Sequence, residues 1–531
     1  MQTGDQGKRR SERLTEIGIA LSAELNLNSL LEKIVRYARE LTSADGGTLY
    51  LLREDRLHFT IIQNESLGVN LGGASGGEIN LEPVTLDKTN VSACAAILGR
   101  TVVIDDVYEC ADFDFSGPRR YDAVTGYHSH SMLVVPMKDH EGQITGVLQL
   151  INAADPASGA VTAFPRDVVP LVEALASQAA VAINNASLVE ETRAIFNGLI
   201  RVLAVSLDAR SRSMGNHIQR VALMNEFLAQ RINEISDGPL AGVRFTEKEL
   251  DEIRIAGWLH DVGKVTTPGH IMEKHSKLEG IFDRIGLIRM RFQYIREQRR
   301  LRAVESVMEI RRRGGDPGEE SAVMQSLTEE LRDLNADWEF IVRCNRPCEN
   351  MSGEDLARLK EISKKTYIED GRERPLLSRN EVHHLTIRHG NLTAEEITVM
   401  RGHILWTNRM LREIPFRGHL KNVPLYAGQH HEKLDGSGYP DGLTAKDIPL
   451  PSRILAVADI YEALTAKDRS YKKELSEDEM LGILNSAAAR GELDRDITDL
   501  LIRRRLHREF EQEYKKNERG THGNEDGQKH T

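Results

Sequence analysis

The sequence predicts a multidomain fold: an α+β module with an antiparallel sheet, one long helix, and an all-α domain that carries a helical insertion. The chain has 531 residues, which is too long for a single hydrophobic core. Short β-rich segments separated by Gly, Asp and Asn turns lie in the first third of the chain. Beyond them the apolar residues recur at helical spacing, which indicates an all-helical second half.

The composition excludes several broad classes of protein. With 40 % hydrophobic and 28 % charged residues the chain is globular rather than disordered. A net charge of −11 argues against a binder of duplex nucleic acid or anionic membranes, because no large positive field would attract phosphates. The sequence contains no apolar run of about 18 residues and its first ten residues are polar, so we expect no membrane span and a cytoplasmic location. We expect the four cysteines to be free thiols.

The N-terminal module is predicted at 11–187, after a disordered segment at 1–10. Two leading helices, an antiparallel sheet and a closing helix make an α+β fold. The predicted strands are Thr48 to Leu52, Leu57 to Ile62, Thr101 to Ile104, Ser131 to Met137 and Ile144 to Ile151.

Three segments of this module resemble a GAF domain, a small-molecule sensor of bacterial signalling proteins. They are Leu25 to Leu31, Leu133 to Met137 and Gly146 to Asn152. Cyclic-nucleotide-binding members of that family carry a set of five residues, of which Asn152, Phe164 and Asp167 match three. Ala153 and Val168 stand where the family has lysine and glutamate, so we expect these three residues to complete the fold. The small-molecule ligand of the module stays unknown.

Residues 166–210 show one long helical pattern of about 45 residues, or about 65 Å at 1.5 Å per residue. Pro170 lies near its start, where proline is tolerated. The apolar residues on one side are Leu171, Leu175, Ile183, Leu188, Ile195, Leu199 and Val202. We therefore predict a helical linker at 188–212 that pairs with a second copy as a parallel coiled coil, giving a homodimer. The alternative is two shorter helices broken near Asn184 and Asn185.

Residues of metal-ligand type lie on successive predicted helices of the remaining region. His260 and Asp261 end one helix, and the adjacent His430 and His431 precede a loop rich in glycine. Asp459 stands in an apolar helix, where a carboxylate needs a cation or hydrogen bonds. Imidazole and carboxylate together form a donor set that first-row transition metals accept. Each residue alone is more often a cap or a core residue, but the ordered set predicts a metal centre: His217, His260, Asp261, His403, His430, His431 and Asp459.

This set resembles the HD superfamily of metal-dependent phosphohydrolases, and within it the HD-GYP branch. The matching segments are His260 to Lys264, His403, His430 to Glu432, Asp435 to Pro440, Ile454 to Asp459 and Ala463 to Tyr471. The resemblance implies an HD-GYP phosphohydrolase domain at 213–510, with a disordered tail predicted at 511–531. An insertion at about 283–390 departs from the family pattern. It is charged and helical in pattern, and we expect it to pack along the outside of the domain or across a dimer; a lid over the metal site is the alternative.

By this resemblance the substrate is cyclic di-GMP, which a metal-activated hydroxide opens to the linear dinucleotide pGpG, with continuation to GMP left open. Two divalent cations, iron or manganese, are implied, with Asp261 bridging them and Lys264 at the scissile phosphate or the leaving oxygen. A third metal is not expected, because Ser213 stands where members that hold one have a glutamate. Substrate contacts are implied for Lys264, Gly436, Gly438, Tyr439, Pro440, Arg469 and Lys472. Two alternatives stay open: hydrolysis of another cyclic dinucleotide or nucleotide, and a non-catalytic scaffold that binds cyclic di-GMP.

Overall fold

The structure is a computed structural model that describes residues 15–210 except 22 and 25, residues 216–465 except 348 and 349, and residues 475–525. The chain divides into two compact units, Met1–Asn197 and Gly198–Thr531, and each is described by itself. Within the described residues, no helix combines the length and the apolar character that crossing a bilayer requires.

The first unit contains an antiparallel sheet in the order β3-β2-β1-β7-β6-β5, with β4 paired to β2 and β8 paired to β7. The strands are β1 (Ala44–Arg53), β2 (Arg56–Asn64), β3 (Val69–Gly72), β4 (Val84–Thr85), β5 (Val102–Ile104), β6 (Met132–Lys138), β7 (Ile144–Ala154) and β8 (Val161–Thr162). The predicted antiparallel sheet is therefore confirmed. The three strands that were not predicted have two to four residues, too few to show an alternating pattern.

Helices cover both faces of this sheet. They are α1 (15–21), α2 (Leu27–Thr42), α3 (Val91–Leu98), α4 (Ser116–Thr125) and α5 (Val169–Arg210). On one face, Ile34 of α2 and Leu175 of α5 share a core with Leu148 of β7. On the other face, Ala95 of α3 packs with Val147 of β7. Because the side chains of β7 alternate between the two faces, the strand is buried on both and reads as an almost continuous apolar run.

Helix α5 is unbroken over 42 residues, so the alternative of two shorter helices is wrong. Its first part belongs to the core of the first unit, and its last turns lie in the second unit. The predicted linker at 188–212 falls in its second half as far as Arg210. Pairing of this helix with a second copy stays a prediction.

The second unit is helical, as predicted. Its helices are α6 (His217–Asn233), α7 (Glu247–Leu259), α8 (Gly269–Met272), α9 (Ile285–Arg312), α10 (Pro317–Asn345), α11 (Gly353–Ser363), α12 (Arg379–Leu385), α13 (Ala394–Arg401), α14 (His403–Arg412), α15 (Val423–Gly428), α16 (Leu450–Thr465), α17 (Glu477–Ala489), α18 (Arg495–Arg503) and α19 (Leu506–Glu525). The main core joins Val221 of α6, Ile253 of α7, Val457 of α16 and Leu501 of α18. This core surrounds α16 and fixes its position between the other helices.

The insertion forms a hydrophobic core of its own. Phe292 of α9, Ile341 of α10 and Leu359 of α11 are buried together in it. A hairpin of β9 (Thr366–Glu369) and β10 (Arg372–Pro375) adds a strand pair to a segment that was predicted as helical. The insertion is thus a folded subdomain rather than a solvated loop.

The predicted disordered tail is wrong for residues 511–525, because α19 continues to Glu525. Tyr514 is buried with 8 % of its surface exposed, and Arg220 of α6 forms an ion pair with Glu511. Arg231 of α6 also lies 3.0 Å from Glu513. These contacts hold α19 against α6. They could not be predicted from the polar composition of the tail, which suggested disorder.

Candidate metal centre

All seven predicted ligands lie in one cluster inside the second unit. His217 begins α6, His260 and Asp261 follow α7, His403 begins α14, His430 and His431 follow α15, and Asp459 lies within α16. Two groups of three have ligand atoms within 4.8 Å of one another: His217 with His260 and Asp261, and His403 with His430 and His431. Five separate helices thus bring their ends or inner faces to one point.

The Asp261 carboxylate, which is fully buried, lies between the two groups. Its Oδ2 atom is 3.0 Å from His260 Nε2 and 3.4 Å from His217 Nε2. Its Oδ1 atom is 3.5 Å from His403 Nε2 and 3.9 Å from His430 Nε2. The two oxygens therefore face different groups, which is the position required of a carboxylate that bridges two cations.

Three of the histidines are oriented in the same way. The Nδ1–H groups of His260, His403 and His430 donate to the backbone carbonyl three residues earlier, at 2.7, 2.6 and 2.7 Å respectively. A neutral imidazole that donates through Nδ1 keeps its lone pair on Nε2. In each case Nε2 is directed into the cluster, so the backbone selects the tautomer that suits a metal ligand.

The Nε2 atoms of His217, His260, His403 and His430 are buried and have no hydrogen-bond partner. Leaving one buried polar atom unpaired costs roughly 1–3 kcal/mol, so four in one cluster are costly unless another group satisfies them. Imidazole nitrogens and carboxylates are the donors that divalent transition metals take. The residues present therefore fit the divalent cations that the sequence predicted.

The protonation of the two groups differs. Burial lowers the pKa of His403, lowers that of His430 well below its usual value, and lowers that of His431 to about 4, so these rings are neutral. Burial also opposes a charge on His217, but the neighbouring carboxylates of Asp261 and Glu462 prevail and raise its pKa to about 10. For Asp261, burial raises the pKa, and the charges of His260 and Lys264 bring it well below the usual value.

Asp459 lies at the edge of the first group, 3.5 Å from His217 Nε2 and 4.0 Å from His260 Nε2. Glu462 follows one turn later on α16, where it is 2 % exposed, and it hydrogen-bonds to Nδ1 of His217. Sequence reasoning missed Glu462. Its signal was a second carboxylate, three residues after Asp459, in a helix that is otherwise apolar.

The turn after Asp261 is fixed against α14. The Gly263 N–H donates to Thr407 Oγ1 at 3.0 Å, and the Thr407 hydroxyl donates to the His260 carbonyl at 3.2 Å. A Cβ atom on Gly263 would lie 2.0 Å from the His403 carbonyl oxygen, so only glycine allows this close approach. Lys264, on the same turn, has its ammonium 2.6 Å from Asp261 Oδ2.

The last turns of α5 also reach this turn. Arg210 donates to the carbonyl oxygens of Val265 and Thr267, the latter at 3.3 Å. Asp208 accepts from the backbone N–H of Ile218, the residue after His217, at 3.4 Å. Burial raises the pKa of Asp208 to about 6. The end of α5 thus contacts the backbone next to His217 and the backbone of the turn that follows Asp261.

The predicted substrate-binding loop, 436–440, lies beside the second group. The Tyr439 ring is 4.8 Å from the His431 ring, and the Arg401 guanidinium is 5.1 Å from the Tyr439 ring centre. Gly436 has a φ of +82°, which favours glycine. The buried Glu432 carboxylate accepts from the backbone N–H groups of 441 and 443, at 2.7 and 2.9 Å, and closes the loop.

Gly438 and Pro440 complete this loop, Pro440 half-buried and Gly438 so close to the backbone at Lys433 that a Cβ atom would lie 2.3 Å from its nitrogen. Arg401 was not predicted, because nothing in the pattern around it distinguishes it from a surface arginine. Arg469 and Lys472, the other predicted substrate contacts, lie outside the described residues, as does Ser213.

Comparison with known families identifies the class of the domains. Residues 26–183 match the family described as GAF domain. Residues 214–351 and 379–497 match two families that are both described as HD domain. The chain therefore carries a GAF domain followed by an HD domain, and the predicted domain types are confirmed.

Several curated proteins are similar to parts of the chain. The 3′3′-cGAMP-specific phosphodiesterase 1 of Vibrio cholerae is 46 % identical over 78 residues, which cover 15 % of this chain and 18 % of that protein. The cyclic di-GMP phosphodiesterase response regulator RpfG of Xanthomonas campestris is 40 % identical over 124 residues, 23 % of this chain and 32 % of that protein. The 3′3′-cGAMP-specific phosphodiesterase 2 of Vibrio cholerae is 26 % identical over 296 residues, 56 % and 32 % respectively. The chain thus spans about a third or less of the length of these relatives.

Proposed function

We propose that this chain is a metal-dependent phosphodiesterase that hydrolyses cyclic di-GMP to the linear dinucleotide pGpG. The observation that carries the proposal is the position of Asp261, with one carboxylate oxygen toward each of two groups of imidazole nitrogens. Divalent cations in such a site supply a lowered pKa of the attacking water and neutralise charge on the phosphoryl group. Whether hydrolysis continues to GMP is left to experiment.

Two cations per chain are proposed, with iron or manganese as the metal. His217, His260, Asp261 and Asp459 would hold one cation, and His403, His430 and His431 the other, with Asp261 shared. Five imidazoles and two carboxylates are more donors than a structural zinc site uses, and they suit iron or manganese better.

The remaining polar groups of the site would bind the phosphodiester. The Lys264 side chain is 19 % exposed, and its ammonium lies 2.6 Å from the buried Asp261 carboxylate. This position suits an ion pair with the scissile phosphate or with the departing oxygen. Arg401 and the Tyr439 ring at the edge of the second group would hold the rest of the dinucleotide, the arginine by charge and the ring by stacking.

A second candidate substrate is 3′3′-cGAMP. Three of the similar Vibrio cholerae proteins are named for it, and one is 46 % identical to this chain over the matched stretch. The two cyclic dinucleotides differ in one purine base, whereas the ligand groups described above would meet their common phosphodiester. The distinction therefore depends on base contacts.

The test is anaerobic turnover of both cyclic dinucleotides by the full chain loaded with iron or manganese, with the bound metal counted on the same samples. The control is the His260→Ala/Asp261→Ala double variant. Linear product from the wild type alone supports the phosphodiesterase, and the faster substrate assigns the base preference. Two metals bound without product from either dinucleotide would overturn the proposal in favour of another nucleotide or a non-catalytic scaffold.

The GAF domain would be the sensor of an unidentified small molecule, and α5 would join two chains in a parallel homodimer. Four apolar residues of α5 are exposed at seven-residue spacing: Val181 by 37 %, Leu188 by 51 %, Ile195 by 65 % and Val202 by 62 %. A seven-residue apolar repeat is the pattern of a two-stranded coiled coil. An Ile195→Cys variant should form a disulfide between two chains, since equivalent residues face each other in a parallel pair; absence of that link would contradict the parallel dimer.

A further inference from the structure

Helix α9 of the insertion exposes an apolar stripe from Leu287 to Met308, which is about 32 Å long at a rise of 1.5 Å per residue. The first set of positions recurs every seven residues at 287, 294, 301 and 308, and the second at 290, 297 and 304. All but one are apolar and exposed: Leu287 by 42 %, Met290 by 65 %, Tyr294 by 41 %, Leu301 by 59 %, Val304 by 46 % and Met308 by 64 %. We call these residues, together with Glu297, the α9 stripe.

The α9 stripe is not the face that folds the insertion. Ile288, Phe292 and Ile295, on the opposite side of the helix, are buried in the core of the insertion with α10. A surface helix normally has one apolar face toward the core and charged residues on the opposite face. Helix α9 is apolar on both of these faces, which is uncommon. A seven-residue repeat is moreover the spacing that a left-handed pair of helices requires.

The polar residues near the middle of the stripe decide how a second helix would lie. Glu297 occupies the one charged position of the stripe, and its carboxylate is 2.9 Å from the guanidinium of Arg300 in the same helix. In a parallel pair, Glu297 would face Glu297 of the second copy inside an apolar seam, where like charges repel. In an antiparallel pair, Glu297 would face Leu301 of the second copy and lie beside its Arg300.

We propose that the α9 stripe is a self-association surface that pairs, antiparallel, with the same stripe of a second copy of this chain. Three apolar residues lie on each side of the Glu297–Arg300 pair, so Met290 would pack on Met308 of the second copy and Tyr294 on Val304. The two Glu297–Arg300 pairs would meet at the two-fold axis as a neutral cluster of four charges. This contact is separate from the proposed phosphodiesterase activity and from the pairing of α5.

The many arginines of α9 do not oppose this pairing. Arg291, Arg299 and Arg311 form ion pairs with Glu381, Glu330 and Glu320 of the same chain. Arg312 and Arg300 pair with glutamates of α9 itself. Much of the positive charge is therefore compensated within each chain before two copies meet.

The test is disulfide formation between full-length chains that carry either Met290→Cys or Met308→Cys. Each variant is measured alone, and the two are measured together after they have been mixed and allowed to exchange subunits. An antiparallel pair places position 290 opposite 308, so a link between two chains should form in the mixture and in neither variant alone. Met324→Cys is the matched control, because Met324 is 50 % exposed on α10 and lies off the stripe. Wild-type protein shows any link through the native cysteines.

Links in each single variant would overturn the antiparallel arrangement in favour of a parallel one, and absence of any link above the Met324→Cys level would overturn the contact itself. As a second measurement, Leu301→Glu should weaken self-association by about tenfold or more in sedimentation velocity, since it places a charge in the apolar seam. Its fold is checked by thermal unfolding. Turnover and metal content are measured on the same variant, so that failure of the phosphodiesterase proposal is distinguished from failure of this one.

Discussion

In the described part of the chain, the GAF domain satisfies its buried polar side chains within its own fold, whereas the HD domain leaves several buried polar atoms without a partner. In the GAF domain, the buried Asp122 accepts from the N–H and the hydroxyl of Ser129, both at 2.9 Å, and from the Tyr108 hydroxyl at 2.8 Å. The buried Asn152 accepts from the backbone N–H groups of His130 and Ser131 and donates to the His128 carbonyl. In the HD domain, four histidine Nε2 atoms converge with no hydrogen-bond partner.

A buried polar group that is hydrogen-bonded within the fold has a structural role. A cluster of buried polar groups without such partners is a candidate ligand-binding site. Asn152 adopts a φ of +58°, and its side chain holds the segment 128–131 beside β7, so its match to a cyclic-nucleotide set has a structural explanation. Among the described residues of the HD unit, Asn225, Arg231, Thr267 and His507 also have a buried atom without a partner, but these atoms are scattered. Convergence on one point, rather than the lack of a partner alone, distinguishes the candidate metal centre.

The largest effect is expected for Asp261, the carboxylate between the two ligand groups. Asp261→Asn removes the charge shared by the two ligand groups, so turnover should fall by about a thousandfold and metal content should drop below two per chain. Turnover and metal per chain are measured on the same protein. Asp122→Asn is the matched control in the GAF domain. It should lower the free energy of unfolding by about 1–3 kcal/mol and leave the metal content unchanged; equal metal loss in both variants would contradict the comparison.

A smaller effect is expected for Glu462, which contacts the predicted ligand His217. Glu462→Gln keeps the shape but removes the charge that orients His217 through Nδ1, so metal affinity should fall about 10–100-fold. Titration of metal-free protein with manganese measures it. Glu381→Gln is the control, because Glu381 is equally buried but pairs with Arg291 in the insertion. That variant should lose stability and retain metal affinity.

The pH dependence of metal-free protein should show the two ligand groups separately. The pKa of His431 is lowered to about 4, so the unfolded chain binds the extra proton and stability falls as pH drops from about 6.5 toward 4. The pKa of His217 is raised to about 10, so its contribution is present below about 6.5 and is lost as pH rises toward 10. Thermal unfolding across pH should therefore weaken on both sides. A His217→Asn variant should lose most of the alkaline decline, and an unchanged alkaline limb would contradict the assignment.

The smallest effect lies in the satisfied network of the GAF domain. Tyr50→Phe removes a hydroxyl that donates to Gln149 Oε1 at 2.8 Å, but the Ser92 hydroxyl still donates to the same oxygen. The free energy of unfolding should fall by about 1 kcal/mol in denaturant titration, with no change in turnover. A larger loss would show that the two hydroxyls are not interchangeable.

Most of the fold and the cluster could be predicted because their signals are local. The five predicted strands are β-rich segments separated by Gly, Asp and Asn turns, and α5 shows one uninterrupted helical pattern. Histidines at the ends of predicted helices are easy to find in a sequence, and His217 and His260 were identified in this way. His403 was predicted within a helix, and the structure places it at the start of α14. The structure brings all seven predicted ligands together, although their roles stay proposals.

The parts that escaped prediction depend on contacts between distant segments. The role of Glu462 depends on its hydrogen bond to His217, which lies 245 residues earlier. The role of Arg401 depends on its contact with the Tyr439 ring. The helix beyond residue 510 depends on Arg220 and Arg231 of α6, so its own polar composition suggested disorder. A helix end can be predicted from a few local residues, whereas the distant partner of a buried carboxylate cannot.

Helix α5 carries its side chains in a fixed angular sequence of about 100° per residue, since an α-helix has 3.6 residues per turn. Its early turns are buried against the sheet of the GAF domain, and Asp208 and Arg210 near its end hold the backbone beside His217 and Lys264. Within the second unit, Ala204 and Leu207 of the same turns are buried with Ile218. One residue deleted between Ala204 and Leu207 would turn Asp208 and Arg210 by about 100° relative to Ala204. The rotational phase of these last turns, and not only their length, therefore decides whether the two side chains reach the backbone beside the first ligand group.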